Sequence, residues 1–249
     1  MKVLQLNVWT GRMKGALSRF IKENDYDVVC LQEAVWSKEA PDHLAHFVDT
    51  VDTLKEAGGF EYVLRQANWG TRFLDGTAIM EQGNAILSKI PIESYETPWI
   101  HGVYSNEMNY LKDWHEQVEN QGYGSIIAKL ENGFTIVCHH GYWQPDPLGN
   151  EVSVACARKL ADLIRDVENK LIVCGDFNLE VAAPAMREYD FLTDLTAETG
   201  TKQTLMNLKF VKDVACDHIL ISKDLKWNNF EVHKELVSDH AAVSVEIKE

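Results

Sequence analysis

Leu4, Leu6 and Val8 alternate with Gln5 and Asn7, which predicts a half-buried strand over residues 2–8. Ala16, Leu17, Phe20 and Ile21 recur at helical spacing and lead into an apolar strand at 27–31. Leu44, Phe47, Val48, Val51 and Leu54 repeat the helical spacing, with Gly58-Gly59 as the stop. Further strands are predicted at 60–65, 85–88, 125–129 and 134–139. The clearest helix covers 151–167, capped by Asn150. Its buried stripe is Val152, Cys156, Leu160, Leu163, Ile164 and Val167. Strands at 171–174, 214–222 and 242–247 complete the pattern. Many strands with few helices suggest sheets packed face to face under outer helices.

The 249 residues contain no repeat, low-complexity tract or linker, so one domain over 1–249 is expected. No apolar run approaches the roughly 20 residues of a membrane span. Residues 1–7 read directly as a strand and carry no signal-peptide pattern. Of five cysteines, Cys30, Cys138 and Cys174 lie in apolar runs, as reduced buried thiols do; a cytoplasmic monomer is expected. The net charge of −14 suits neither a nonspecific coat on nucleic acid nor a long basic stripe. It leaves nucleic acid open as a substrate, because carboxylates that hold divalent cations reverse the local sign of charge.

Acid, amide and imidazole residues gather at the predicted strand ends. They are Asn7, Gln32-Glu33, Glu81 before Gly83-Asn84-Ala85-Ile86-Leu87-Ser88, His139-His140, Gly175-Asp176-Phe177-Asn178, Asp217-His218 and Ser238-Asp239-His240. Each alone reads as a turn former or a solvated residue. Seven strand ends carrying ligand and acid–base types together mark one rim of a sheet as a site. Cys138-His139 has no second Cys/His pair at zinc spacing.

Leu6-Asn7-Val8-Trp9, Leu31-Gln32-Glu33, Gly83-Asn84-Ala85-Ile86-Leu87-Ser88, Gly175-Asp176-Phe177-Asn178 and Ser238-Asp239-His240 resemble the endonuclease/exonuclease/phosphatase superfamily, in its order and across nearly the whole chain. The resemblance implies the DNase I-like fold, a four-layer α/β/β/α sandwich of two mostly antiparallel sheets with the site at one edge. It also implies hydrolysis of phosphoesters with Mg2+ or Mn2+. By resemblance Glu33 is the main metal carboxylate, Asn7 contacts metal or phosphate beside it, and Asp239 lies near the metal from the other side. Asp176 matches the position that orients or deprotonates water, Asn178 the phosphate contact, and Asp217 the partner of His240. Whether Asp176 or His240 is the base stays open. His140 aligns with the leaving-group histidine, His139 reads equally as structural, and Glu81 matches an acid that supports that histidine. Arg158 faces either phosphate or solvent.

The resemblance leaves the substrate to the loops. A phosphodiesterase or nuclease acting on nucleic acid is expected first. The alternative is a small-molecule or lipid phosphoesterase, like an inositol phosphatase or a sphingomyelinase; a non-catalytic module of the same fold is more remote. Segments 66–80, with Trp69, Arg72 and Phe73, and 94–124, with Trp99, Tyr104, Tyr110 and Trp114, are read as aromatic loops rimming the site. Tyr142 and Trp143 follow His140. Lys202, Lys209, Lys212, Lys223 and Lys226 read as a solvated face.

Overall fold

The computed structural model describes residues 1–37, 49–72, 79–106, 118–119, 121–167, 170–206 and 213–248, with the backbone alone at Arg72. Leu44, Phe47, Val48, Phe73, Tyr110, Trp114, Lys209 and Lys212 lie outside these residues.

Two sheets carry the chain. The first has the order β12-β13-β1-β2-β4-β3, from Lys226–Val232, Val243–Lys248, Lys2–Asn7, Val28–Ser37, Ile79–Ser88 and Tyr62–Arg72. The second has the order β10-β11-β9-β8-β7-β5, from Leu192–Asp194, Asp217–Ser222, Lys170–Asp176, Phe134–His140, Tyr123–Leu130 and Ile92–Glu96; the short β6, Trp99–His101, also pairs with β7. Pairing is antiparallel except β1 with β2 and β8 with β9. Each parallel pair is bridged by a helix, α1 (Lys14–Asn24) or α3 (Glu151–Ile164). A parallel connection needs such a crossover, and in each unit the strand that precedes the helix ends at a candidate site residue, Asn7 or His140.

Three apolar clusters fix the four layers. Val3, Cys30 and Ile86 of the first sheet pack on Ile136, Cys174 and Ile219 of the second. Leu4, Leu6 and Val29, on the first sheet's outer face, pack on Leu17 and Phe20 of α1 and on Val51 and Leu54 of α2 (Thr50–Gly58). Val137 and Val173 pack on Cys156, Leu160 and Ile164 of α3. The result is the expected α/β/β/α sandwich.

Local chemistry sets the helix ends. Asn150 Oδ1 accepts from Val152 N at 2.9 Å and Ser153 N at 3.0 Å, starting α3. Asp49 caps α2 through Asp52 N at 2.9 Å, and Gly59 closes it at φ 66°. The helix α3 ends at Ile164, three residues short of the predicted end, and Leu163 is 44% exposed because Leu160 and Ile164 hold the face toward the sheet. Residues 66–72 and 79–80 are strand, not loop, as are 94–96, 99–101 and 123–124.

Strand β1 also departs from its half-buried reading, since both of its faces are covered. Leu4 and Leu6 face the helices, while Gln5 and Asn7 point between the sheets and find polar partners there. That inner face passes from apolar at Val3 to polar at Asn7, and the polar end is the candidate site.

Candidate active site

Four strand ends and two loops build the site. Asn7 ends β1, His140 ends β8 and Asp176 ends β9, with His140 and Asp176 paired in register. Antiparallel β11 sets Asp217 opposite Asp176. Glu33 does not close its strand, as its sequence position suggested. Strand β2 runs on to Ser37, and Glu33 sits in a bulge between Leu31 and Ala34 with φ 52°. Such a left-handed residue costs about 1–2 kcal/mol, and bulges of this kind re-aim a side chain.

Asp176 lies at the centre. Its Oδ2 accepts from Asn7 Nδ2 at 3.0 Å and faces His140 Nε2 at 3.6 Å and His240 Nε2 at 3.7 Å. Its Oδ1 accepts from Asn178 N at 2.9 Å. Burial pushes this carboxyl up, but the imidazoles of His240 and His140, with the Asn7 and Asn178 donors, outweigh burial and hold it below its ordinary value.

His240 Nδ1 pairs with Asp217 Oδ2 at 2.9 Å. Burial opposes its charge, yet the Asp217 and Asp176 carboxylates hold its basicity well above the ordinary imidazole value. Asp217 is fixed in turn: Gln5 Nε2 donates to Oδ1 at 3.2 Å, and Thr204 Oγ1 accepts its backbone N–H at 3.1 Å. Gln5 and Gln32 exchange amide bonds of 2.5 and 2.9 Å behind it. Gln32 was singled out from sequence beside Glu33, but Gln5 and Thr204 were not; the one signal for Gln5 was that it shares a strand face with Asn7.

Asn7 Nδ2 also donates to Glu33 Oε1 at 3.1 Å, and its Oδ1 accepts from Trp9 N at 3.0 Å. The amide nitrogen that brackets the two carboxylates is a donor, unsuited to ligating a cation. Asn178 holds φ 54°, and its Nδ2 donates to Gly141 O at 3.0 Å, tying together the turns after β8 and β9. Room there is minimal: a Cβ on Gly141 would stand 2.1 Å from Phe177 O. Gly141→Ala is expected to cost about 1–3 kcal/mol in denaturant unfolding and to lower activity by displacing Asn178.

The two adjacent histidines divide cleanly. His139 is buried with Nδ1 2.8 Å from Ser125 Oγ and its ring edge-on to Phe177; burial, then the neighbouring His140, push it down to about 3, so it is neutral and structural. His140 lines the cleft, with Tyr123 edge-on at 6.2 Å.

Glu81 does not join this group. Met80 and Gln82 line the cleft, so strand alternation turns Glu81 to the other face of β4, where it accepts from Trp36 Nε1 at 2.8 Å and Tyr104 OH at 3.1 Å. These partners place Glu81 with Trp36 and Tyr104, while the ring that meets His140 is Tyr123. Arg158 pairs with Glu188 at 2.9 Å on the exposed surface, as the solvated reading has it.

Residues that fit a divalent cation are oxygen donors. Asp239 is raised by burial and, despite His240, by the charges of Glu33 and Asp176; a hard cation offsets that repulsion. Asp176, Cys216 and His240 also bring ligand atoms within 4.8 Å of one another. Burial first, then the Asp176 and Asp217 carboxylates, push the Cys216 thiol up to about 12, so it stays protonated and is a poor ligand. Glu33 and Asp239 are the better hard-ion pair.

A cleft of about 800 Å3 opens over Glu33 and His140. Trp9, Trp69 and Trp143 line it with Asn68, Gln82 and Gln121, and Arg12 and Lys14 bring positive charge. The Arg12 guanidinium stacks 4.4 Å over Trp9. Trp9, Thr10 and Gly11 are successive left-handed residues, at φ 46°, 56° and 73°, and strain of this kind gathers at binding loops. No helix among the described residues is long and apolar enough to cross a membrane.

The profile of the Endonuclease/Exonuclease/phosphatase family matches residues 4–240. No curated protein matches the sequence significantly. Among solved structures, an endonuclease/exonuclease/phosphatase from Beutenbergia cavernae is similar at TM-score 0.71 and 15% identity, covering 100% of this chain and 71% of that one. The mannosyl-6-phosphatase of Bacteroides thetaiotaomicron is similar at TM-score 0.66 and 17% identity, covering 100% of both chains. The human Nocturnin catalytic domain, with bound sulfate, is similar at TM-score 0.67 and 16% identity, covering 100% of this chain and 93% of that one. At such identities the likeness is one of fold.

Proposed function

Because the chain belongs to the endonuclease/exonuclease/phosphatase family, we propose that it hydrolyses phosphoester bonds by attack of a water molecule, with Mg2+ or Mn2+ as cofactor. The observation that carries this reading is the Asp176 carboxylate, ionised and faced by Asn7, His140 and His240, beside the Glu33–Asp239 carboxylates. Glu33 and Asp239 would hold a divalent cation there, which would polarise a phosphoryl oxygen and offset developing charge.

Asp176, kept below its ordinary value, accepts the proton of the attacking water, and Asn7 fixes the angle of the carboxylate. His240, kept protonated by Asp217, presents Nε2–H to the phosphoryl group and stays paired with Asp217 as charge develops there. His140, on the cleft side, serves the leaving oxygen. Asn178 gives one amide N–H to Gly141 and has a second for phosphate. A non-catalytic module has no use for this assembled arrangement.

The cleft favours a compact phosphoester over a long nucleic-acid strand. Its volume is that of a small-molecule site, and a net charge of −14 opposes a long polyanion. Three indoles and three amides suit a sugar or nucleoside. Nucleic acid keeps one observation in its favour, the Arg12 guanidinium stacked on Trp9 at the mouth, a pair of side chains that could hold a base and a phosphate together. Supercoiled plasmid separates the readings. Metal-dependent nicking that is lost in Asp176→Asn establishes a nuclease; hydrolysis of nucleotide or sugar phosphoesters without nicking establishes the compact substrate.

Glu33→Gln removes one charged donor. The Mn2+ concentration for half-maximal rate is expected to rise about 10–100-fold, with near-normal turnover at saturation. An unchanged metal titration overturns the assignment.

A further inference from the structure

We propose that His218 is a buried imidazolium that braces the turn carrying Asn178 and thereby acts as a positioning residue for Asp176. Reading Asp176 as the catalytic carboxylate gives this brace its functional weight; the charge itself is independent of that reading.

His218 is completely buried on β11, one residue beyond Asp217. Its Nδ1 lies 2.8 Å from Asp194 Oδ2 and its Nε2 lies 2.9 Å from Leu179 O. Both partners are acceptors. A neutral imidazole carries a single N–H, so one of the contacts would set lone pair against lone pair; the doubly protonated ring satisfies both. Asp194 is itself anchored, because its Oδ1 accepts from Thr196 N at 2.9 Å and Ala197 N at 3.3 Å at the start of α4 (Leu195–Glu198).

The Leu179 carbonyl ends a turn in which each residue is tied down. The Phe177 ring stands edge-on between His218 at 5.3 Å and His139 at 5.2 Å. Asn178 gives its backbone N–H to Asp176 Oδ1 and its side chain to Gly141 O. Leu179 is held by His218. Loss of the charge on His218 frees Leu179 O and lets Asn178 swing its N–H away from Asp176.

The charged groups acting on His218 are Asp194 from β10 and Asp217 beside it; the Phe177 ring and Leu179 carbonyl complete the surroundings. Burial opposes the charge, and the carboxylates with the carbonyl outweigh it, so the group is raised. A raised folded-state value means that the brace is fully present below the ordinary imidazole value and is lost as pH rises through the raised one.

Two measurements on the 15N-labelled 249-residue chain test this without any substrate. Imidazole 15N spectra at pH 7 should show both His218 nitrogens protonated while His139 is neutral. Hydrogen exchange of the Asn178 amide should quicken tenfold or more in His218→Asn and Asp194→Asn, with the Val245 amide unchanged. On bis(p-nitrophenyl) phosphate, kcat should fall at least tenfold with KM within twofold in both variants, and in Asp194→Asn, which keeps His218 but removes a carboxylate that raises it, the alkaline limb should move to lower pH. His218→Gln replaces His218→Asn if the latter does not fold. A neutral His218 at pH 7, or unchanged Asn178 exchange in a folded variant, overturns the proposal. Failure of hydrolysis alone, with both spectroscopic results as expected, counts against the hydrolase reading instead.

Discussion

Asp176→Asn is expected to lower turnover by about 10²–10⁴-fold, the usual worth of a positioned general base, while the protein stays folded. The substitution keeps size and shape, so Oδ1 can still accept from Asn178 N. What disappears is the charge that His140 and His240 stabilise and the capacity to take a proton from water. Asn7 Nδ2, 3.0 Å away, then meets either the new amide nitrogen or the remaining oxygen. Steady-state kinetics at saturating metal, with circular dichroism as the folding check, measure it. A rate within tenfold of wild type removes Asp176 from the base role.

Asp217→Asn is expected to cost about 10²-fold or more in kcat, although Asp217 touches no substrate. Its Oδ2 accepts the Nδ1–H of His240 and its Oδ1 accepts from Gln5. An asparagine has one acceptor oxygen, so satisfying Gln5 turns its NH2 toward His240 Nδ1 and reverses the imidazole tautomer. The stabilised imidazolium that faces Asp176 is lost with it. Residues acting as a unit are not additive, so Asp217→Asn with His240→Ala should be little slower than His240→Ala alone. A double variant slower by the product of the two single effects contradicts the pairing.

Much of the fold was legible because its strands are long, apolar and punctuated. Phe134–His140, Lys170–Asp176 and the Asn150-capped helix follow from periodicity and capping, and the ordered motifs supply the sandwich. Local pattern fails where tertiary packing decides. Gln5 and Asn7 look solvent-facing in an alternating strand, yet a second sheet covers them and supplies Asp217 and Asp176 as partners. Glu33 reads as a strand end because a bulge has no apolar signature, though it is that bulge which turns its carboxylate toward Asn7.

At the site, motif residues with a direct partner across the sheets came together: Asn7, Glu33, His140, Asp176, Asn178, Asp217 and His240. Glu81 did not, because facing on a strand depends on parity, and one position separates it from Gln82 in the cleft. Thr204, which holds Asp217, and Tyr123, whose ring lies edge-on to His140, belong to no motif and become visible only through contacts distant in sequence.

The most direct measurement is release of p-nitrophenol from bis(p-nitrophenyl) phosphate by wild type with Mn2+, by wild type with Mn2+ and excess chelator, and by Asp176→Asn with Mn2+, all purified identically. The expected result is turnover in the first sample alone, with the other two lower by at least 10²-fold. Turnover that survives the chelator or Asp176→Asn, or none above buffer in the first sample, would contradict metal-assisted phosphoester hydrolysis centred on Asp176.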